Sequence, residues 1–431
     1  MFMQLPPNVK KYLSKQNNVK WKIETAGNKK LFNNIVVIPA LKESENVKIL
    51  LKSILKNEKK FLQETLFVFV INNIPTNELA IKKDNIKLLG YLKEELFKHP
   101  VLQIGVIDAS TENKEFPVKD GGVGLARKIG MDLSLQYLDY SNSKKKLLIN
   151  LDADCTVSEN YLETIITEFN NNKYSAGYVY FEHPLPHNIE KQKAIINYEI
   201  FLRYYVLGLK YANSPYAFHT VGSTIICDYE SYIKIGGMNK RKAGEDFYFL
   251  EKLAKITDIK FLKSATVYPS PRISDRVPFG TGQRVRRFIN REKDEYLIYS
   301  PAIFEVLKNW LNIFQSEILS AERFLGKAKI IDKELYNFLI SQNFVSDWGR
   351  ILLNSKTETQ IKKQKKIWMD GFKTLKLIHY LRDNKFSQET MFKALDDLLN
   401  KMEIKNSIKR TEAIPNIETQ FQYLRLLRKI N

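Results

Sequence analysis

From Asn34 to about Lys260 the sequence alternates short apolar runs with stretches of helical periodicity, and this alternation constrains the fold more than any other feature. The runs at 35–39, 67–72, 101–107, 147–151, 177–181 and 223–227, with a later one at 265–268, have the length and β-branched or aromatic content of buried strands. Between them, 46–62, 77–98, 124–140, 159–170 and 188–211 carry helical spacing. Strand, helix and strand in repeated succession predict an α/β fold, a Rossmann-like and mostly parallel central sheet covered by helices. In such sheets ligands collect at the carboxyl ends of the strands.

Beyond Tyr299 the pattern becomes purely helical, as in Phe304, Leu307, Trp310, Leu311 and Phe314. We therefore expect a first domain over 1–299 and a helical C-terminal domain over 300–431, the latter without chemistry of its own. A chain ending near Ser300 is expected to fold and to bind ligand. Trp310, Trp348 and Trp368 read as core residues.

At 431 residues, 44% hydrophobic and 12% aromatic, the chain has material for real cores, which excludes a disordered protein. Its two cysteines, Cys155 and Cys227, lie inside apolar runs and indicate neither a disulfide framework nor a cysteine metal site, so a reducing, cytoplasmic setting is expected. No segment has the order of a signal peptide, and no uncharged run approaches the roughly 18 apolar residues of a membrane span. The expectation is a cytoplasmic protein, at most peripheral on the inner face of a membrane. The net charge of +20 comes largely from lysines scattered through the whole chain. Scattered lysines disfavour a nucleic-acid-binding protein, the non-enzyme alternative, which calls for basic and aromatic residues clustered on one element.

The run at 147–151 delivers two carboxylates, Asp152 and Asp154, with only Ala153 between them, in KLLINLDADCTVS (146–158). Each like charge raises the cost of ionising the other, so something positive is required there. Two acids on alternate positions of a strand end can hold a hard divalent cation, Mn²⁺ or Mg²⁺, which commonly shares its shell with substrate phosphates. Three further stretches surround the pair in sequence: VVIPALKESENV (36–47), DGGVGLARKIGMD (120–132) and GGMNKRKAGEDFYFL (236–250).

In that order and at about those distances, the four stretches resemble the family 2 glycosyltransferases of GT-A fold, over roughly residues 33–290. The resemblance implies a sugar nucleotide lying across the carboxyl ends of the first four strands, bounded by Pro39, Ala40 and Glu43, with Asp108 in the place of the acid that meets the base. It implies that Gly122 and Gly124 let backbone approach the ligand ahead of Arg127, and that Asp154 chiefly holds the metal while Asp152 approaches the ribose or sugar. It makes Asp246 the general base for the acceptor hydroxyl and Glu245 an orienting acid. The family commonly adds a metal ligand, often histidine, from a later strand. The stretch 266–288 has none, and His219 is the candidate substitute. That stretch instead carries Arg272, Arg276, Arg284, Arg286 and Arg287 around Gly280 and Gly282, which suggests a mobile arginine loop closing on a diphosphate.

The function implied is transfer of a single sugar, with inversion, from a UDP- or GDP-linked donor to a glycan, lipid or small-molecule acceptor. No organic cofactor is implied beyond the nucleotide sugar, and contact with a membrane surface is left open. A retaining GT-A transferase and a sugar nucleotidyltransferase are the alternatives within enzymes.

Overall fold

The computed structural model describes residues 5–16, 20–26, 30–98, 101–273 and 280–430. Nine strands make one sheet: β1 (Glu24–Thr25), β2 (Asn34–Ala40), β3 (Thr65–Asn72), β4 (Gln103–Ala109), β5 (Leu147–Asn150), β6 (Thr156–Val157), β7 (Ala176–Phe181), β8 (Ile225–Asp228) and β9 (Ile259–Tyr268). Their order is β1-β4-β3-β2-β5-β8-β7-β9-β6. β4, β3, β2 and β5 form a continuous parallel block, in which Val37 lies opposite Val68 on one side and Asn150 on the other. β8 enters antiparallel between β5 and β7, β9 runs parallel to β7, and β1 and β6 pair antiparallel at the two edges. This is the mostly parallel, helix-covered sheet expected from the sequence, with a helical C-terminal region added.

The strands of the parallel block read as near-continuous Val, Ile, Leu and Phe because they are buried on both faces. Val36, Ile38, Phe67 and Phe69 share one core with Val47, Leu50, Leu51 and Ile54 of the Ser44–Ile54 helix and with Leu162, Ile165, Ile166 and Phe169 of the Tyr161–Asn172 helix. Val37 and Val70, one residue out of phase, meet the Val123–Ser134 helix on the opposite face. The chain runs outward from β2 through β3 to β4, then returns to lay β5 on the other side of β2. The carboxyl ends of β2 and β5 therefore border the topological switch point, where open α/β sheets bind ligands.

A buried polar knot fixes the Val123–Ser134 helix. Asp132, fully buried, accepts hydrogen bonds from the Tyr12 and Tyr232 hydroxyls, each at 2.7 Å, and pairs with Lys128 Nζ at 3.0 Å. Gly237 lies against this knot at φ 76°, and a Cβ there would stand 2.0 Å from Tyr12 Oη, so the turn leading toward Glu245 requires glycine.

Two helices end earlier than periodicity suggested. The 46–62 stretch divides into helices Ser44–Ile54 and Lys59–Gln63 because the buried Asn57 side chain breaks the ladder: it donates to the Ile54 carbonyl and accepts from the Leu162 N–H. The 124–140 stretch is α-helical only to Ser134 and finishes in a 3₁₀ turn over Leu135–Tyr137.

The chain separates into two compact units, and the division differs from the expected 299/300 boundary. One unit takes the chain up to Pro184 and Thr220–Ser270; the other takes Leu185–His219 and everything from Thr281 onward. In the helical unit, Ile196, Ile200, Tyr204 and Leu207 of the Ile189–Tyr211 helix share a core with Phe304, Leu307, Trp310 and Phe314. Trp348 and Trp368 belong to the same core, as expected of them. The buried Glu199 carboxylate receives Arg203 and Arg428, joining that helix to Ile417–Ile430. Periodicity shows that a helix has an apolar face but not which neighbour covers it, so sequence pattern alone does not reveal that the Ile189–Tyr211 helix packs with residues beyond 300.

A chain ending at Ser300 would strip these partners from the Ile189–Tyr211 helix and leave several large apolar side chains uncovered, each worth about 1.5–3 kcal/mol of burial. It should aggregate or melt without cooperativity. A soluble, monomeric and cooperatively melting 1–300 fragment, judged by gel filtration and circular dichroism, would overturn this expectation.

Candidate active site

β5 ends at Asn150, but strand-like alternation continues past it. Leu151, Ala153, Cys155 and Val157 turn inward, while Asp152, Asp154 and Thr156 are half-buried on the outer side. The Leu151 N–H donates to the Val37 carbonyl at 3.1 Å, which holds the segment beside the end of β2. A turn at Ala153–Asp154, closed by the Cys155 N–H donating to the Asp152 carbonyl at 3.1 Å, thus leaves both carboxylates half-buried at the switch point.

The positive charge beside them is Arg127, almost fully buried on the Val123–Ser134 helix. Its guanidinium forks, Nη2 donating to Asp152 Oδ1 at 2.5 Å and Nη1 to Glu245 Oε1. Gly222 lies directly against it, since a Cβ at that position would be 2.6 Å from Nη2. Glu245 and Asp246 open the Glu245–Ala254 helix after Gly244, whose φ is 69°. The Asn239 side chain donates to the Glu245 carbonyl at 2.9 Å, and Asp246 Oδ1 accepts from the Phe247 N–H at 2.8 Å.

Acids outnumber the cation in this cluster, and their protonation reflects it. Burial, and next the Glu245 charge, push the Asp246 carboxyl up to about 7 against the pull of Arg127. Burial also raises Glu245, again opposed by Arg127. A carboxyl poised near neutrality can accept a proton from a substrate hydroxyl at physiological pH.

Among the described residues, the ligand atoms of Asp152, Asp154 and Cys155 lie within 4.8 Å of one another. The donor chemistry narrows this set. Burial, with Asp154 and Asp152 alongside, raises the Cys155 thiol well above its ordinary range, so it stays protonated and is a poor ligand for a hard cation. Two carboxylates remain, one of them already engaged by Arg127. This suits Mn²⁺ or Mg²⁺ anchored by few protein ligands and completed by phosphate oxygens.

The other expected site residues fall as follows. Pro39 and Ala40 end β2, and the buried Glu43 precedes the Ser44–Ile54 helix, accepting from Asn46 Nδ2 at 2.6 Å. Asp108, near the end of β4, spends its acceptors on its own loop: the Ser110 and Thr111 N–H groups, both hydroxyls and Lys114 Nζ at 2.9 Å. Burial alone would raise this carboxyl, but Thr111, Lys114 and the backbone donors outweigh it and hold it at about 2. Gly122 and Gly124 have a different immediate use from the one expected. A Cβ on Gly124 would stand 2.2 Å from the Arg241 carbonyl oxygen, and one on Gly122 would stand 3.2 Å from Lys242 Cα, so these glycines admit the 239–242 backbone.

Arg284 and His219 belong to the helical unit. The expected arginine loop is helical over Thr281–Ile289, where Arg284 and Arg287 both pair with Glu295, and the Arg284 guanidinium stacks 4.3 Å from the Phe201 ring. Amphipathic spacing inside 281–289, hidden behind two glycines, was the signal overlooked. Arg276 lies outside the described residues. His219 is buried, and burial with the nearby Arg203 drives its proton affinity well below the ordinary range. Sequence reasoning missed Gly222, and it missed the polar net at the ends of β2 and β3. There Asp84 receives the Ser44 N–H and hydroxyl, and Asn85 donates to Asn73 Oδ1 and accepts from the Lys42 N–H. No local pattern marks either feature.

No family model matches the chain, and no curated protein matches it. Solved structures do. Residues 1–349 of S. aureus TarS with UDP-GlcNAc align at 13% identity and TM-score 0.39, covering 78% of this chain and 90% of that one. The mannosyltransferase PcManGT of Pyrobaculum calidifontis, with GDP-Man and Mn²⁺, aligns at 12% and 0.37 over 87% and 92%. GalNAc-T7 with UDP, GalNAc and Mn²⁺ aligns at 13% and 0.35 over 70% and 55%. At such identities and TM-scores these likenesses carry no weight for chemistry, which rests on the chain's own residues.

The raised Asp246 carboxyl has a consequence for stability. An acid whose folded pKa lies above its unfolded value of about 3.9 binds more protons in the native state, so the stability this one group contributes is fully present below about pH 4 and is lost as pH rises through about 7. Asp246→Asn should remove that loss, making the variant gain on the order of 2 kcal/mol over wild type between pH 5 and pH 8 in paired urea titrations. Parallel pH profiles for the two proteins would show that Asp246 titrates normally.

Proposed function

We propose that the chain is a glycosyltransferase that moves one sugar from a UDP- or GDP-linked donor to an acceptor hydroxyl, with inversion, using Asp246 as base. The observation that carries this reading is a carboxyl held near neutrality at a sheet switch point, one Arg127 fork away from the Asp152–Asp154 pair. Sequence order supports it, because the four stretches that resemble family 2 motifs supply these same residues.

The acceptor O–H proton passes to Asp246 as its oxygen forms the bond to the anomeric carbon; the bond from that carbon to the diphosphate breaks, and the nucleoside diphosphate leaves with the electron pair. Glu245, fixed by Arg127, orients the helix start that carries the base. Asp154 chiefly, with Asp152, would hold Mn²⁺ or Mg²⁺, which would offset charge on the departing diphosphate. Pro39, Ala40 and Glu43, at the end of β2, border the donor side. Asp108 would meet the base only by giving up part of its loop network. Arg284, paired with Glu295, is the least supported of the assigned donor contacts, and His219 is the least supported metal ligand. No described helix is long and apolar enough to cross a membrane.

Two experiments test this reading. UDP or GDP should raise the melting temperature more with Mn²⁺ than with EDTA, and Asp154→Ala should abolish the metal-dependent part; equal shifts in both conditions would remove the metal from the mechanism. Asp246→Asn keeps shape but not basicity, so nucleotide affinity should persist while transfer falls roughly 10²- to 10⁴-fold. Near-normal turnover by that variant, or a product retaining the donor's anomeric configuration, would show the base to be wrongly assigned.

A further inference from the structure

The Phe344–Asn354 helix of the helical unit carries a wider apolar sector than its core can cover. Phe344, Trp348 and Ile351, at i, i+4 and i+7, pack into the aromatic core. One residue further round, Val345, Gly349, Leu352 and Leu353 repeat the same spacing on the solvent side, where Val345 is 45%, Leu352 37% and Leu353 86% exposed. A Cβ added at Gly349 would meet nothing within 4 Å, so this face is open. A surface helix ordinarily turns a single apolar stripe to its core and a polar face to water.

The exposed charged residues next to that face in sequence are mostly basic. Arg350 and Lys356 bracket the leucine pair in sequence, and the following helix, Glu358–Trp368, exposes Lys362 and Lys363 while burying Lys365 and Trp368. The acids in the same stretch of sequence are Glu358, which is exposed, and Asp347, which receives Arg350 and the Trp368 indole N–H at 2.8 Å.

We infer that Val345, Leu352 and Leu353, with the flanking Arg350, Lys356, Lys362 and Lys363, form a docking surface for an anionic phospholipid bilayer. Charge decides between occupants. A second copy of a chain of net charge +20 would bring like charge against this basic rim. An anionic bilayer offers acyl chains to the leucines and negative headgroups to the cations at once. The inference is independent of the glycosyl-transfer reading.

Co-sedimentation of the full chain with vesicles tests it. The protein should pellet with phosphatidylcholine mixed with phosphatidylglycerol, pellet little with phosphatidylcholine alone, and be released by salt. Leu352→Ser combined with Leu353→Ser should abolish pelleting, and Lys362→Glu with Lys363→Glu should weaken it by about fivefold or more per residue. All four side chains are surface groups, so melting temperatures should hold, and the two variants act through different interactions. Wild type that stays in the supernatant with anionic vesicles overturns the inference. So does pelleting that the leucine change leaves intact, or a leucine-dependent dimer in sedimentation velocity without lipid, which would give this face to a second copy.

Discussion

One buried guanidinium organises the sheet unit's chemistry. Arg127 reaches an acid that follows β5 and an acid that opens the Glu245–Ala254 helix, and so ties together two stretches more than ninety residues apart in sequence. Removing a charge from water in this way is costly, and only paired, hydrogen-bonded partners offset it. Its Nε has no hydrogen-bond partner among the described residues, so the fork to Asp152 and Glu245 sets the guanidinium's orientation. The pair of acids also makes Arg127 harder to deprotonate in spite of its burial. The same cation opposes the rise of both Glu245 and Asp246, yet burial prevails at each.

The surroundings of Arg127 follow from that requirement. The helix bearing it is anchored one turn later by Lys128 and Asp132, whose buried carboxylate gathers two tyrosine hydroxyls from separate segments. Gly222 leaves room for the guanidinium, and Gly237 leaves room for Tyr12. Each glycine stands where a side chain would collide with a member of the polar network. Gly237 falls within the 236–250 stretch that a motif search reads, whereas Gly222 lies outside all four stretches, so the packing demand is only partly written in the motifs.

Much of this was legible in sequence. Strand-length runs of Val, Ile and Phe located the parallel block, because strands buried on both faces have little freedom of composition. The Asp152–Ala153–Asp154 alternation located the acid pair, and the like-charge argument required a positive partner. What sequence could not supply was the partner's identity. Arg127 lies twenty-five residues away, and nothing local marks it as the cation rather than a metal ion. The arginines near Gly280 illustrate the opposite error: glycine suggested a loop, whereas 281–289 is helical and its arginines pair with Glu295. The packing of the Ile189–Tyr211 helix was hidden for a related reason, since sequence shows its periodicity but not its neighbours.

The two readings of the acid pair, a structural ion pair with Arg127 and a cation site, need not compete. Asp152 gives one oxygen to the guanidinium, and a carboxylate has further lone pairs to offer. Asp154, the second acid, is half-buried like Asp152, while Ala153 and Cys155 between and after them are buried. The turn after β5 thus presents a second carboxylate at the switch point. Under the cation reading, Asp152 would serve the guanidinium with one oxygen and, together with Asp154, the ion with others, so one acid pair could meet both demands.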